Sequence, residues 1–134
     1  MSISRKILET KSLCQTICSL SQNEATQTEM KLLYFIDEYN NCSPQILISK
    51  LGIRKTNLAL ITKKMINAGL IVSKKGTYDH RSIFYSLTPK GKSVLNEYLE
   101  SLDKIFHEQD VMLENNLDEI LKYLNKKIWF SYWL

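Results

Sequence analysis

The chain has 134 residues, a formal net charge of +4 at pH 7 and 44% apolar residues, with four glycines and two prolines. This length fits one domain whose core needs no disulfide or metal, and the scarcity of glycine and proline favours long helices. The composition excludes wholesale disorder, no apolar run approaches the roughly 20 residues of a membrane span, and the amino terminus lacks the apolar stretch of a signal peptide. We therefore expect a globular protein of the cytoplasm.

The charge is distributed unevenly. The segment from Lys50 to Lys92 holds ten basic residues and one acidic residue, a net +9, whereas the remainder of the chain carries −5. Such a segment presents a basic surface to an anionic partner, and nucleic acid is the first candidate. The alternative is an ordinary solvated charged surface.

Helical spacing of apolar residues predicts a first helix from about Ile3 to Ser21. Thr26, followed three residues later by Glu29, has the capping-box pattern. It predicts the start of a second helix, which ends near Tyr39.

Two short helices are predicted next. Ser43-Pro44 has the pattern of a helix cap followed by proline at the first helical position, and this helix stops at Gly52. Another helix runs from about Lys55 to Ala68, and Gly69 provides a left-handed end. Two short helices joined around a glycine are typical of a helix-turn-helix.

The apolar period then changes from that of a helix to that of a strand. Leu70-Ile71-Val72 is a β-prone run, residues 74–79 are turn-like, and Ile83, Tyr85 and Leu87 alternate with their neighbours. This pattern predicts a β-hairpin with its tip at residues 74–79.

Two helices complete the chain. Thr88-Pro89 opens a long helix with an apolar stripe of Leu95, Tyr98, Leu102 and Ile105, and a last helix is predicted to begin near Asn116. The predicted fold is mainly α with a small β-hairpin, a winged helix-turn-helix with extra helices at both ends.

The hairpin carries a specific resemblance. Residues 79–91 read D-H-R-S-I-F-Y-S-L-T-P-K-G, which resembles the wing signature of the MarR family of bacterial transcription regulators: D-x-R, five residues, then L-T-x-x-G. The resemblance covers roughly Thr28 to Leu99. It implies a single MarR-like domain over residues 1–134, with the DNA-binding lobe at about 26–92 and dimerisation helices at 1–21 and 93–134.

The resemblance also implies a function. We expect a sequence-specific regulator of transcription that binds double-stranded DNA, a dimeric repressor modulated by a small molecule or another signal and associated with the nucleoid. Two alternatives remain, a winged-helix module that binds a protein and a plasmid or phage replication factor. No nucleophile–base pair, phosphate-binding glycine loop or acid–base motif is visible, so we expect neither an enzyme nor a cofactor.

Ten residues are candidate DNA contacts. The recognition helix of the predicted helix-turn-helix is the one from about Lys55 to Ala68. On its helical wheel, Leu58, Ile61 and Met65 face inward, so the other side faces the major groove. There hydroxyl and methyl groups can read bases while lysines meet phosphates. The candidates are Arg54, Lys55, Thr56, Asn57, Ala59, Leu60, Lys63, Lys74, Lys75 and Arg81.

Two positions on this helix leave alternatives open. Leu60 either contacts thymine methyl groups or packs against the wing. Arg54 stands where a cap is needed and cannot accept amide hydrogen bonds. Either Thr56 replaces it as the cap and the helix starts later, or Arg54 itself faces the DNA.

In the wing, the resemblance implies that Arg81 enters the minor groove while Asp79 holds its guanidinium group. A narrow minor groove concentrates negative potential and favours arginine. The alternative is that Asp79 and Arg81 form a structural clip across the hairpin. Lys74 and Lys75 suit phosphate contacts.

The resemblance further implies a homodimer that binds a pseudo-palindromic operator. Residues 128–134 contain four aromatic residues, which would be a costly exposed patch on a monomer, so we expect them to be buried between subunits or against the amino-terminal helix. Contact with a membrane is not expected from so short a segment. The candidate interface residues are Ile3, Ile7, Leu117, Ile120, Leu124, Ile128, Trp129, Phe130 and Trp133.

Three cysteines in a chain without an export signal indicate free thiols. Cys14 and Cys18 lie four residues apart and are candidates for a thiol sensor or a pair of thiolate ligands, although buried structural thiols are commoner. Cys42 precedes a helix start, where the helix dipole can lower a thiol pKa, and here too a structural thiol is favoured. His80 and His107 have no partner at metal-ligand spacing, so no metal site is expected.

Overall fold

The computed structural model describes residues 2–20, 26–76, 81–106 and 110–133, with side chains up to residue 128 in the last range. The elements in these ranges are α1 (Ile3–Ser19), α2 (Gln27–Glu38), α3 (Pro44–Leu51), α4 (Lys55–Asn67), β1 (Ile71–Lys75), β2 (Ile83–Leu87), α5 (Pro89–Asp103) and α6 (Val111–Trp133). The chain forms two compact units, Met1–Leu102 and Asp103–Leu134.

Side-chain caps set the bounds of α2 and α3 as the sequence predicts. The Glu29 amide donates to Thr26 Oγ1 and the Thr26 amide donates to Glu29 Oε2, both at 3.2 Å, which completes the capping box. The Ile46 amide donates to Ser43 Oγ at 3.3 Å, and Gly52 ends α3 with a φ of 64°. Only glycine adopts that left-handed conformation routinely.

The core of the first unit lies where α2, α3, α4, β1 and α5 meet. Its buried members come from every one of these elements and from the segments between them. They are Met30, Leu32, Leu33, Ile36, Cys42, Leu47, Leu58, Met65, Leu70, Ile71, Leu95 and Tyr98.

The hairpin is an antiparallel pair in which Ile71 opposes Leu87 and Lys75 opposes Ile83. The prediction that Lys74 and Lys75 belong to the tip is wrong. The strand ladder continues through both lysines, and the Gly76 amide still donates to the Ser82 carbonyl at 2.9 Å. β2 also pairs on its other side, where the Tyr85 amide donates to the Cys42 carbonyl at 2.8 Å.

Three predicted helix bounds are wrong. α1 ends at Ser19. α5 ends at Asp103, so Ile105 lies in a turn and the buried stripe stops at Leu102. α6 begins at Val111, five residues before Asn116, because the Leu113 amide donates to Asp110 Oδ1 at 3.2 Å and this aspartate caps the helix.

Among the described residues, no helix combines the length and the apolar character needed to cross a bilayer.

Candidate nucleic-acid interface

The recognition helix α4 begins without a side-chain cap. Arg54 is the N-cap residue, its side chain accepts no hydrogen bond, and the helix starts at Lys55. The predicted start at about Lys55 is confirmed, and the alternative that Thr56 caps a later start is wrong, because the Leu58 amide already donates to the Arg54 carbonyl at 3.0 Å. Arg54 is exposed at this end of the helix, and a contact between Arg54 and DNA remains a prediction.

The inner face of α4 agrees with the helical wheel. Leu58 is 3% exposed, Met65 is 2% exposed and Ile61 is half-buried. Thr62 is also buried, which the sequence reasoning missed although it stands four residues after Leu58. Its hydroxyl donates to the Leu58 carbonyl at 2.9 Å and to the Ala59 carbonyl at 3.2 Å, so burial leaves no hydrogen-bonding group unsatisfied.

The outer face of α4 is open to solvent over its first two turns. Leu60 is 69% exposed, so it is not packed against the described part of the hairpin. A long apolar side chain held in solvent on this face is available to thymine methyl groups. The exposed residues of the face are Lys55, Thr56, Asn57, Ala59, Leu60 and Lys63.

The carboxyl end of α4 is a Schellman turn. Gly69 has a φ of 76°, its amide donates to the Ile66 carbonyl at 2.9 Å, and the Leu70 amide donates to the Met65 carbonyl at 3.0 Å. Leu70 and Ile71 then enter the core, which fixes where the hairpin leaves the helix.

Four lysines of the segment 50–92 contact groups in other parts of the described fold. Lys64 Nζ lies 2.6 Å from Glu29 Oε1, Lys92 Nζ lies 2.5 Å from Asp37 Oδ2, and Lys90 Nζ donates to the Ala68 carbonyl at 3.0 Å. Lys50 Nζ lies 5.7 Å from the centre of the Tyr39 ring. Sequence reasoning missed these contacts, because three of the partners lie far away along the chain.

The other six basic residues, like these four, are exposed. They are Arg54, Lys55, Lys63, Lys74, Lys75 and Arg81. Arg54, Lys55 and Lys63 lie at the start and on the outer face of α4. Lys74 and Lys75 lie on β1, and Arg81 lies in the turn before β2. These six are the basic members of the predicted contact set.

The wing presents both predicted lysines on β1. Lys74 and Lys75 line a groove of about 430 Å³ together with Asn41, Phe84 and Tyr85. Arg81 stands exposed in the turn before β2. Asp79 and His80 lie outside the described residues, and so does the predicted clip between Asp79 and Arg81.

The predicted dimer residues lie on α1 of the first unit and α6 of the second. Ile3 is the most exposed, at 78%. The other exposed members of the set are Ile7, Leu117, Ile120, Leu124 and Ile128. The side chains of Trp129, Phe130 and Trp133 lie outside the described residues.

The three thiols differ in environment. Cys14 is exposed, Cys18 is half-buried and Cys42 is buried. Burial raises the pKa of the Cys42 thiol, the opposite of the shift that a position at a helix start would cause. Within the described ranges, no three His, Cys, Asp or Glu residues are grouped as they would need to be to hold a metal ion, and His80 and His107 fall outside those ranges.

Comparison with known proteins agrees with this geometry. Residues 25–83 match the model of the MarR family. The HTH-type transcriptional regulator PetP of Rhodobacter capsulatus is 29% identical over 82 residues, which cover 61% of this chain. The chain spans about half the length of that relative, 49%.

Solved structures show the same fold. The crystal structure of NadR in complex with 4-hydroxyphenylacetate superposes with a TM-score of 0.81 at 23% identity, covering 96% of this chain and 92% of NadR. The structure of Bordetella bronchiseptica BpsR, whose DNA binding is regulated by 6-hydroxynicotinic acid, gives a TM-score of 0.69 at 13% identity and covers 92% of this chain and 93% of BpsR. The matched segment 25–83, which contains α2, α3, α4 and β1, is therefore similar to the MarR family, and the solved structures share the fold of the chain.

Proposed function

We propose that this protein is a sequence-specific regulator of transcription that binds double-stranded DNA through α4 and the β1–β2 hairpin. The observation that carries the proposal is the placement of six exposed basic residues, Arg54, Lys55, Lys63, Lys74, Lys75 and Arg81, around the open face of α4 and along the hairpin. An α-helix fits the major groove, where Thr56, Asn57 and Leu60 meet base edges and Lys55 and Lys63 meet phosphates.

The wing supplies the second part of the proposed interface. Arg81 enters the minor groove beside the recognition helix, and Lys74 and Lys75 contact the flanking phosphates. This assignment is supported by the exposure of all three side chains on the hairpin.

The regulator acts as a homodimer in this proposal. One winged module reads few base pairs, whereas a dimer reads two half-sites about one helical turn apart. The exposed apolar side chains of α1 and α6 support such an interface, because large apolar patches on soluble proteins mark sites of association.

A small molecule controls the proposed repressor. The 4-hydroxyphenylacetate bound to NadR and the 6-hydroxynicotinic acid that regulates BpsR are both aromatic carboxylic acids, so we propose that class for the effector here. A ligand that changes the distance between the two recognition helices by a few ångströms misaligns them with the half-sites. In this proposal the protein acts in the cytoplasm, bound to the DNA of the nucleoid.

The test begins with selection of bound genomic fragments, followed by titration of the selected duplex at several salt concentrations. If six to ten phosphates are contacted, the affinity falls by about 10³- to 10⁵-fold between 50 and 200 mM salt. Absence of binding to every fragment at low salt contradicts the proposal. It would favour the interpretation of the fold as a protein-binding module.

Arg81→Ala tests the wing in the same assay. We expect a strong loss of duplex affinity with at most a small change in melting temperature, because substitutions of exposed side chains usually cost little stability. Lys31→Ala is the matched control: it removes one exposed positive charge from α2, outside the basic segment. A collapsed fold in Arg81→Ala would make Arg81 a structural residue, and equal losses in the two variants would contradict a specific role for the wing.

A further inference from the structure

We propose that the first turn of α5 is a clamp that sets the orientation of the recognition helix, with Thr88 and Lys90 as positioning residues for sequence-specific binding. This inference rests on the proposed function. It deepens that function by assigning roles to residues that do not touch DNA.

Thr88 joins the two helices with both its side chain and its backbone. Its Oγ1 donates to the Gly69 carbonyl at 2.6 Å and accepts from the Gly91 amide at 3.0 Å. Its own amide donates to the Leu70 carbonyl at 3.0 Å. One hydroxyl therefore caps the start of α5 and binds the turn that ends α4.

Lys90 binds the carboxyl end of α4 directly. Its ammonium group donates to the Ala68 carbonyl at 3.0 Å, and Ala68 is the C-cap residue of α4. The last carbonyls of a helix have no partner within it and carry the negative end of the helix dipole, so a lysine is favoured there. This hydrogen bond orients the end of α4 more than it stabilises the fold, because Lys90 is exposed to solvent.

Gly91 brings the two backbones into contact. A Cβ at this position would lie 2.0 Å from the Leu70 carbonyl oxygen, and even the Leu70 carbonyl carbon would be 2.9 Å away. Any side chain at Gly91 therefore pushes the end of α4 away from α5. The segment T-P-K-G, residues 88–91, thus supplies a hydroxyl group, an ammonium group and a position without a side chain. All three lie against residues 68–70.

The clamp matters for specificity because base readout depends on the angle of the helix in the groove, whereas phosphate contacts tolerate small rotations. Weakening the clamp should lower the affinity for the operator and leave the affinity for unrelated DNA unchanged. A lysine that simply contacts a phosphate would lower both affinities.

Lys90→Met and Lys92→Met form a matched pair for the test. Both remove one positive charge from the same turn of α5, but Lys92 pairs with Asp37 and makes no hydrogen bond to the α4 end. For each variant, affinities are measured for the selected operator and for an unrelated duplex of equal length, across a salt series. We expect Lys90→Met to lower the ratio of the two affinities by about tenfold, the scale of one mismatched base pair, with the same salt slope as Lys92→Met.

Conservative variants separate positioning from general damage to the fold. Lys90→Arg and Thr88→Ser keep the donors and should retain the wild-type ratio, whereas Thr88→Val keeps the shape of the side chain and should lose it. An unchanged ratio in Lys90→Met overturns the proposal. A loss of affinity for both duplexes, with a salt slope lower by about 0.9 than that of Lys92→Met, also overturns it and assigns Lys90 to a phosphate.

A measurement without DNA keeps the clamp testable on its own. Amide hydrogen exchange at Gly69 and Leu70 should be faster in Lys90→Met than in Lys92→Met, because the turn that protects these amides opens more often. If the wild-type protein binds no duplex, the proposed function fails, and these exchange rates alone test whether Lys90 holds the end of α4. Equal rates in the two variants would then overturn it.

Discussion

Gly91 brings the backbone of α5 close to the turn that follows α4. Its hydrogen faces the Leu70 carbonyl oxygen, at a position where a methyl group would lie 2.0 Å away. We expect Gly91→Ala to lower the free energy of unfolding by about 1–3 kcal/mol, the usual range for overpacking.

Denaturant unfolding measures this change, with Ser93→Ala as the control. Ser93 is exposed on the same helix, so its variant should stay within about 0.5 kcal/mol of the wild type. A Gly91→Ala protein as stable as the Ser93→Ala protein would show that the two backbones separate there without cost.

The cysteines should differ in reactivity. Burial raises the pKa of Cys42, so its thiolate, the reactive form, is scarcer in the folded chain than in the unfolded one. At pH 8 we expect a thiol reagent to modify Cys14, which is exposed, and to reach Cys42 only after unfolding. Mass spectrometry of the native and denatured protein counts the modified thiols, and rapid native labelling of Cys42 in a Cys14→Ser variant would contradict its burial.

The same shift affects stability at alkaline pH. Because the folded pKa of Cys42 is above the unfolded value, the unfolded chain loses this proton first as the pH rises. The contribution of the thiol to stability is therefore complete below about pH 8.5, the ordinary thiol pKa. It declines as the pH rises toward the raised pKa.

At the scale of elements, one face of α4 packs in the core, and the other is exposed and contacts DNA in the proposed function. Leu58→Ala should cost about 2–5 kcal/mol of stability, since it opens a cavity in the core. Leu60→Ala removes a side chain of the same composition from the exposed face, so it should leave the free energy of unfolding within about 0.5 kcal/mol of the wild type. We expect Leu60→Ala to lower operator affinity instead, by about tenfold if Leu60 touches a thymine methyl group.

Unfolding and duplex titration of both variants test this division. A Leu60→Ala protein with unchanged affinity would remove Leu60 from the interface, and a strongly destabilised one would place Leu60 in the fold.

The sequence predicted element bounds where a local side chain sets them. Thr26 and Glu29 form the capping box in four residues, and Ser43, Pro44 and Gly52 mark both ends of α3. The predicted start of α4 at about Lys55 is also confirmed, although the Arg54 backbone starts that helix without a side-chain bond. Contacts between distant residues, such as Lys64 with Glu29, left no local signal, since tertiary packing alone brings them together.

At the scale of the whole molecule, the prediction concerns self-association. Leu124 is exposed on α6 and belongs to the proposed dimer surface. A charge at a dry interface is costly, so Leu124→Glu should raise the dimer dissociation constant by at least about tenfold. Sedimentation measures the constant, and Asn125→Glu, which introduces the same charge at the next position, is the control.

Equal effects of these two variants would remove Leu124 from the interface. A wild-type chain that sediments as a monomer at high concentration would contradict the dimer itself.

The division of the ten basic residues has a consequence for engineering the protein. All ten are exposed, but the side chains of Lys50, Lys64, Lys90 and Lys92 also contact groups elsewhere in the fold. Under the proposed function, binding strength can therefore be adjusted in steps by neutralising the other six cations singly, because each phosphate that loses its cation lowers the salt slope by about 0.9. Removal of the four lysines would mix that graded response with changes in the contacts between elements, so a set of variants with tuned affinity should be built from the other six positions.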